Sequence, residues 1–156
     1  MTPIDVYTDG SCSPRKKAGV WAALIIYNGK RTSVYSIVHD TNHNRLELMA
    51  VIEALQKIYF EYNARTIINL YTDSQYVNDL PGRFKSLEAK NYITNKGRTI
   101  NNYDLITEFK KWYERMNVNI IKVKAHQKEK EEENPNREVD KLARRVLREY
   151  IQYNLF

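Results

Sequence analysis

The sequence predicts an α/β domain in which a mixed five-stranded sheet is flanked by helices. Three strand-like segments come first, and a tight-turn signal joins the second to the third, which indicates an antiparallel meander. Strands 4 and 5 each follow a helical segment, so right-handed crossovers should place both parallel to strand 1. The chain has 156 residues, of which 42% are hydrophobic and 28% charged, as in ordinary globular proteins. We expect one domain over residues 1–156.

The three strands of the meander are short and rich in β-formers. Ile4–Thr8 alternates between two faces, and Gly19–Tyr27 is a nearly continuous apolar run. The segment Asn28–Lys30 (NGK) is a strong hairpin turn signal, after which Thr32–Val38 returns as the third strand.

The first helix follows the meander and leads into strand 4. Asn44 is its predicted N-cap. Thr66–Thr72 then alternates as a strand, with Ile68 and Leu70 on one face. The helix itself is indicated by apolar residues at helical spacing, namely Leu48, Val51, Ile52, Leu55, Ile58 and Tyr59.

The second half of the chain carries the remaining helices and the last strand. Pro81-Gly82 predicts a chain break, and Phe84–Asn101 resembles a short helix followed by a polar loop. Val118–Lys124 is the predicted fifth strand. The apolar carboxyl-terminal residues are expected to pack back on the domain, and a tail that docks a partner is the alternative. Two amphipathic helices flank this strand, marked by Leu105, Ile106, Phe109, Trp112, Tyr113 and Met116 and by Val139, Leu142, Val146 and Tyr150.

The charge and the cysteine content limit the possible partners and the cellular compartment of the protein. The net charge is +6, and Arg83–Lys111 is rich in lysine and arginine. Such clusters often bind nucleic acids, although many basic domains bind no polyanion. Cys12 is the only cysteine, which excludes an internal disulfide and a multi-cysteine zinc site and favours a cytoplasmic location. No apolar run is long enough to span a bilayer, so we expect no membrane partner.

Two aspartates end two predicted strands in nearly identical contexts, Tyr7-Thr8-Asp9 and Tyr71-Thr72-Asp73. Ligands of open α/β sheets gather beyond the carboxyl ends of the strands. If these strands are parallel neighbours, the two carboxylates lie side by side and need a shared proton or a cation. Each aspartate alone could simply cap a turn, but the matched pair favours a cation site.

Glu47 and Asp140 extend the acidic set. Glu47 precedes the apolar face of the first helix, pointing toward the edge of the sheet, and Asp140 lies in the first turns of the last helix. Either could instead be a first-turn acid that the helix dipole favours. Four oxygen donors without cysteine suit Mg²⁺ or Mn²⁺, and two such ions about 4 Å apart can hold an attacking water and a leaving oxygen on opposite sides of a phosphorus.

Five motifs, in order along the chain, give the sequence a specific resemblance. They are YTDGSC (Tyr7–Cys12), NRLELMA (Asn44–Ala50), TDSQYV (Thr72–Val77), KVKAH (Lys122–His126) and NREVDKLAR (Asn136–Arg144). With these motifs the chain resembles the type 1 ribonuclease H family over essentially its whole length. The resemblance implies the ribonuclease H-like fold and an endoribonuclease that hydrolyses the RNA strand of RNA–DNA hybrids, leaving 5′-phosphate and 3′-hydroxyl ends.

The resemblance also implies roles for the acids and a cofactor. Asp9, Glu47, Asp73 and Asp140 would be the metal-binding catalytic set, holding two Mg²⁺ ions when substrate is bound, with Mn²⁺ able to substitute. Asp9 would bridge both ions, Glu47 and Asp73 would bind one, and Asp140 the other. His126 matches the histidine of the family's mobile loop, which assists proton transfer or product release, although a lone histidine after a strand is often an ordinary surface residue.

Substrate contacts are likewise implied by position in the family pattern. Cys12 (through its backbone), Asn44 and Gln75 would read the minor groove of the hybrid, where 2′-hydroxyls mark the RNA strand. The segment Arg83–Arg98 takes the place of the family's basic protrusion, which grips the DNA strand. The candidate DNA contacts in it are Lys85, Lys90, Lys96 and Arg98.

Three features depart from the family pattern. Arg15 stands where many bacterial members have an asparagine, and its charge could strengthen phosphate binding at the expense of groove reading. His43 replaces an asparagine that often precedes the position of Asn44. The basic protrusion offers Phe84 and Tyr92 in place of tryptophans, which would alter the grip on DNA.

Two other functions fit part of the pattern. One is a nuclease of the same fold that cuts DNA, since the metal set does not itself choose the sugar. The other is a hybrid-binding module without activity, against which the intact acid set argues. Asn44 and Gln75 favour the hybrid over DNA. We expect a monomer whose partner is an RNA–DNA hybrid, with no separate amino-terminal hybrid-binding module.

Overall fold

A computed structural model describes residues 2–63, 65–124 and 134–154. The predicted alternation of strands and helices is confirmed. The elements in chain order are β1 (Ile4–Ser13), β2 (Ala18–Tyr27), β3 (Lys30–His39), α1 (His43–Glu61), β4 (Ile67–Thr72), α2 (Gln75–Ala89), α3 (Tyr103–Arg115), β5 (Asn117–Lys122) and α4 (Pro135–Asn154).

The sheet has the strand order β3-β2-β1-β4-β5. β1, β2 and β3 are antiparallel neighbours, and β4 and β5 run parallel to β1, so the predicted mixed sheet is confirmed. The predicted hairpin turn is also present, with Asn28 and Gly29 at φ values of 50° and 78°. This left-handed backbone suits a two-residue turn of the kind that asparagine and glycine form readily.

Helices cover both faces of the sheet. On one face α1, α2 and α3 bury a large apolar core that includes Val6, Ile25 and Leu70. On the other face α4 packs against β1 and β2 through three buried residues, Val139, Ala143 and Leu147. β2 is therefore covered on both faces, which explains its nearly continuous apolar sequence.

The amino end of α1 packs directly on the sheet, where two strands carry glycine beneath it. A Cβ atom added at Gly10 would lie 2.9 Å from Leu46 Cβ, and one added at Gly19 would lie 2.5 Å from Leu46 Cδ1. Leu46 thus fills a notch that only glycine leaves open at these two positions. The close approach brings the next residue, Glu47, against β1.

The N-cap of α1 is Asn42, and the prediction of Asn44 is wrong. The Asn42 side chain accepts a hydrogen bond from the backbone N–H of Arg45, and its own backbone is extended. Because the helix already begins at His43, Asn44 lies inside the first turn. Its side chain is exposed and is not used as the cap.

The predicted chain break at Pro81-Gly82 is also wrong, because α2 runs through both residues. Ser74 caps the helix by accepting a hydrogen bond from the Val77 N–H. Proline removes one helical hydrogen bond. The buried face of the helix, formed by Val77, Leu80, Phe84 and Leu87, holds it in place despite this loss.

Phe84 belongs to the core and not to an exposed aromatic surface. It is 5% exposed, and its ring lies 5.7 Å from that of Phe109. The expectation that Phe84 offers an aromatic contact to DNA is therefore wrong. Tyr92, in the loop after α2, is half-buried and packs against Tyr103.

The carboxyl-terminal helix packs along much of its length. Tyr150 and Ile151 join the apolar cluster beneath α4, and the Tyr150 hydroxyl lies 3.1 Å from His39 Nε2. Tyr153 is 69% exposed, and Leu155 and Phe156 lie outside the described residues. Within the described ranges, no helix combines the length and apolar character that crossing a membrane requires.

Candidate active site

Asp9 and Asp73 lie at the point where parallel pairing of β1 with β4 ends. The last pair is Tyr7 with Tyr71, and each aspartate follows two residues later. β1 itself continues to Ser13 in its antiparallel pairing with β2. Asp9 therefore lies inside the strand, and the prediction that it ends the strand is wrong. The two carboxylates are nevertheless neighbours as predicted, because their ligand oxygens lie within 4.8 Å of one another.

Glu47 is completely buried beside Asp9. The backbone N–H of Gly10 donates to Asp9 Oδ1 at 2.9 Å and to Glu47 Oε1 at 3.1 Å. Glu47 Oε2 is also buried, and no hydrogen-bond partner for it exists among the residues that the structure describes. A buried carboxylate oxygen without a donor is costly, so this atom is a strong candidate ligand for a cation.

Three of the four predicted acids form a close cluster, and the fourth lines the same cleft. Ligand oxygens of Asp9, Glu47 and Asp73 all lie within 4.8 Å of one another. Asp140, half-buried on the first turns of α4, lines the same cleft as Asp9 and Asp73 and forms an ion pair of 3.1 Å with Arg144. The four carboxylates therefore come from β1, α1, the connection after β4, and α4.

The electrostatics of this cluster oppose its full ionisation. Burial, followed by repulsion from Asp73, raises the pKa of Asp9 to about 8. Burial, followed by the charges of Asp9 and Asp73, raises the pKa of Glu47 well above its usual value. A divalent cation would offset both effects, and an all-oxygen donor set suits Mg²⁺ or Mn²⁺. The residues present therefore fit a divalent metal.

Asp9, Asp73 and Asp140 line a cleft of about 760 Å³. Three of the predicted substrate contacts, Cys12, Asn44 and Gln75, line it. Gln75 Nε2 donates to Asp79 at 2.7 Å, which fixes its amide, and Cys12 Sγ lies 3.9 Å from the carbonyl oxygen of Thr41. Arg15 lies exposed in the turn between β1 and β2, outside the lining of this cleft.

A second cavity of about 640 Å³ adjoins the cleft at Asn44 and Tyr76. Its basic lining is Arg83, Lys96 and Arg98, so two of the four predicted DNA contacts face it. Lys85 and Lys90 are exposed on α2 and at its carboxyl end, and they do not line this cavity.

An ion pair fastens the start of α3 to the amino end of α1. Arg45 donates to Asp104 through both terminal nitrogens, at 3.0 and 2.8 Å, and to Asn102 at 3.3 Å. Asn102 in turn donates to the Tyr76 hydroxyl at 3.1 Å. The loop that carries Lys96 and Arg98 is thereby held against the cleft.

Two further residues of the site were not among the predicted ones. His43 Nε2 lies 3.3 Å from Glu47 Oε1, and Arg144 lines the cleft beside Asp140. The signal in both cases is helical spacing of four residues from an acid of the set. The predicted His126 lies outside the described residues.

Comparison with known proteins agrees with this geometry. The RNase H family profile matches residues 1–148. A ribonuclease H of Thermoanaerobacter sp. (strain X514) is 31% identical over 153 residues, covering 97% of this chain and 91% of the relative. One of Wolbachia pipientis wMel is 34% identical over 143 residues, covering 91% and 93%.

A solved structure shares the fold. The crystal structure of LC9-RNase H1, described as a type 1 RNase H with the type 2 active-site motif, matches with a TM-score of 0.77 at 24% identity. The match covers 94% of this chain and 72% of that one. The fold and the family are those of an endoribonuclease, which is a hydrolase. This chain belongs to the ribonuclease H family.

Proposed function

We propose that this protein hydrolyses the RNA strand of RNA–DNA hybrids with two Mg²⁺ ions, leaving 5′-phosphate and 3′-hydroxyl ends. Asp9, Glu47, Asp73 and Asp140 would hold the ions, and Mn²⁺ could replace Mg²⁺. The observation that carries the proposal is the close clustering of the Asp9, Glu47 and Asp73 carboxylates beside a cleft that Asp140 also lines. Residues 1–156 would act as one catalytic domain.

The chain's own residues prepare the site for a cation and a phosphate. When bound there, Mg²⁺ lowers the pKa of an attacking water and offsets charge on the phosphate. Gly10 fixes one oxygen each of Asp9 and Glu47, which leaves Glu47 Oε2 free to bind metal. Without a cation the acidic cluster would repel a phosphate, so activity should depend strictly on divalent metal.

The lining of the cleft supports a hybrid as the substrate. The amides of Asn44 and Gln75 can donate to and accept from 2′-hydroxyls and base edges, and the backbone of Cys12 adds a further contact. The basic cavity at Lys96 and Arg98 would take the DNA backbone. Further contacts with phosphates are assigned to Arg15, Lys85 and Lys90, and His126 would assist proton transfer. We further propose a monomer in the cytoplasm.

The proposal is tested with four end-labelled duplexes: an RNA–DNA hybrid, double-stranded RNA, double-stranded DNA, and DNA with one embedded ribonucleotide. Each is incubated with Mg²⁺, with Mn²⁺ or with EDTA. The Asp9→Asn variant serves as the inactive control, and Glu53→Gln, an exposed acid on α1, serves as the matched carboxylate control. End analysis of the products identifies the 5′-phosphate.

The expected result is cleavage of the RNA strand of the hybrid alone, lost with EDTA and with Asp9→Asn but kept with Glu53→Gln. Cleavage of double-stranded DNA would indicate a nuclease of different sugar specificity. Tight hybrid binding without any cleavage would indicate a binding module.

A further inference from the structure

A basic groove runs along the outer side of α4, away from the cavity assigned to the DNA strand. It measures about 680 Å³ and lies between α4 and the edge strand β3, where Ser33 lines it. On the helix it is lined by one acid, Glu138, one apolar residue, Leu142, and four cations, which are Lys141, Arg144, Arg145 and Arg148. We refer to this surface as the α4 groove.

The charge of the α4 groove is largely uncompensated. Arg31 of β3 forms an ion pair of 2.6 Å with Glu138, which neutralises the one acid of the lining. Lys141, Arg145 and Arg148 are exposed, and within the described ranges none of the three forms an ion pair or a side-chain hydrogen bond. Three cations at one helix face repel one another, so an anionic ligand would stabilise this arrangement.

The α4 groove is continuous with the catalytic cleft. Arg144 lines both, and its guanidinium pairs with Asp140, an acid of the proposed metal set. From Lys141 to Arg148 the helix rises about 10 Å, which gives room for more than one backbone phosphate of a nucleic-acid strand. A strand whose phosphate lies over the acids can therefore continue onto this helix.

We propose that the α4 groove binds the backbone of a single-stranded RNA extension that continues the scissile strand beyond the hybrid duplex. The inference rests on the proposed function, because it places the scissile strand over the four acids. It assigns Lys141, Arg145 and Arg148 to phosphate contacts outside the duplex. Substrates with an unpaired RNA flank would then bind more tightly than blunt hybrids.

The test measures binding by fluorescence anisotropy in EDTA, so that no cleavage intervenes. The probes are a blunt hybrid and the same hybrid with six unpaired RNA nucleotides at either its 5′ or its 3′ end. The proteins are the wild type, Arg145→Gln/Arg148→Gln, and the control Arg65→Gln/Lys111→Gln, which loses the same charge far from α4. Circular dichroism establishes that each variant is folded, and cleavage of the blunt hybrid with Mg²⁺ is assayed in parallel.

The wild type and the control should bind one extended hybrid about tenfold more tightly than the blunt one, with the gain lost in the α4 variant. For the extended hybrid, the slope of log Kd against log salt should fall by about 1.4 in the α4 variant. The variant loses two single-strand phosphate contacts, and each contributes about 0.7 to the slope. If the wild type binds blunt and extended hybrids equally and still cleaves the blunt hybrid, the α4 groove does not bind the RNA extension. The proposed function is unaffected by that result. Failure to cleave the blunt hybrid with Mg²⁺ counts against the proposed function instead. Labelled polyglutamate is a further probe in the same assay. If it binds more tightly than the extended hybrid and this binding is lost in the α4 variant, the assignment is overturned in favour of an acidic protein.

Discussion

Glu47 Oε1 accepts a hydrogen bond from the Gly10 N–H at 3.1 Å, and the same N–H lies 2.9 Å from Asp9 Oδ1. One backbone group of β1 therefore orients two acids that come from different elements. The contact requires α1 to lie directly on the strand, which the glycine notch under Leu46 permits. Packing and chemistry meet at this one residue.

Gly10→Ala should destabilise the protein and weaken metal binding. The new Cβ would lie 2.9 Å from Leu46 Cβ, so α1 and β1 must separate, at a cost of about 1–3 kcal/mol. Urea denaturation measures the stability. Gly82→Ala is the matched control, because nothing lies within 4 Å of its added Cβ and the helix should gain about 0.5–1 kcal/mol. Equal changes in stability from the two substitutions would contradict the close packing of Leu46 on Gly10.

Without divalent metal, the free energy of unfolding should fall as the pH rises from about 4 to about 8. The pKa of Asp9 is raised to about 8 and that of Glu47 well above its usual value, so the folded protein keeps protons that the unfolded chain releases. This stabilisation is complete below the ordinary carboxyl pKa and is lost as the pH passes the folded pKa. Asp9→Asn should raise the stability at pH 8 by at least about 1 kcal/mol.

Urea titrations in EDTA between pH 5 and pH 8.5 measure this dependence, with Glu53→Gln as the control. Added Mg²⁺ should stabilise the wild type more at pH 8 than at pH 5, because bound protons compete with the metal. If Asp9→Asn and Glu53→Gln gave the same pH slope, the cause assigned to the raised pKa values would be wrong.

Asn42 and Asn44 should separate helix capping from substrate binding. Asn42→Ala removes the side chain that accepts from the Arg45 N–H and should cost about 1 kcal/mol of stability. Asn44→Ala should leave stability within about 0.5 kcal/mol, since its side chain is exposed, yet weaken hybrid binding. Thermal denaturation measures the stability of both variants, and fluorescence anisotropy measures their hybrid binding. A larger stability loss at Asn44 would restore it as the cap.

His43→Ala should weaken divalent-metal binding by about tenfold, as loss of an outer-shell partner of a metal ligand often does. His43 Nε2 lies 3.3 Å from Glu47 Oε1 and restrains that carboxylate together with the Gly10 N–H. Calorimetric titration with Mn²⁺ measures the affinity. His39→Ala, which removes a histidine that contacts Tyr150 on the α4 side, should leave the affinity unchanged.

Much of the fold could be predicted from local patterns because those patterns express burial directly. β2 is apolar throughout since helices cover both its faces, and Asn28-Gly29 supplies the left-handed backbone that its turn requires. The helical spacing in α1, α3 and α4 likewise matches the buried stripes of these helices.

The errors arose where distant packing outweighs a local preference. Pro81 disfavours a helix, but the buried face of α2 continues on both sides of it. Phe84 was assigned to an exposed protrusion because its polar neighbours hide its contact with Phe109. Asp9 was placed at a strand end, whereas pairing with β2 carries β1 on to Ser13.

The sequence could predict which acids form the candidate site, but it could not predict how deeply they are buried. The two YTD segments and the family motifs pointed to the acids, but the complete burial of Glu47 depends on Gly10 and Gly19, which lie in other elements. The role of Arg144 between two grooves was equally hidden, because it depends on the approach of α4 to β3.

The distribution of the acids over β1, α1, the connection after β4, and α4 has a consequence for folding. No contiguous stretch of the chain contains the metal set, so the site forms only when distant segments have docked, and closing such loops slows folding. Opening of α4 alone would remove Asp140 while the apolar core on the opposite face of the sheet stays packed. Local opening of that single helix would therefore switch off nuclease competence well before the molecule unfolds globally.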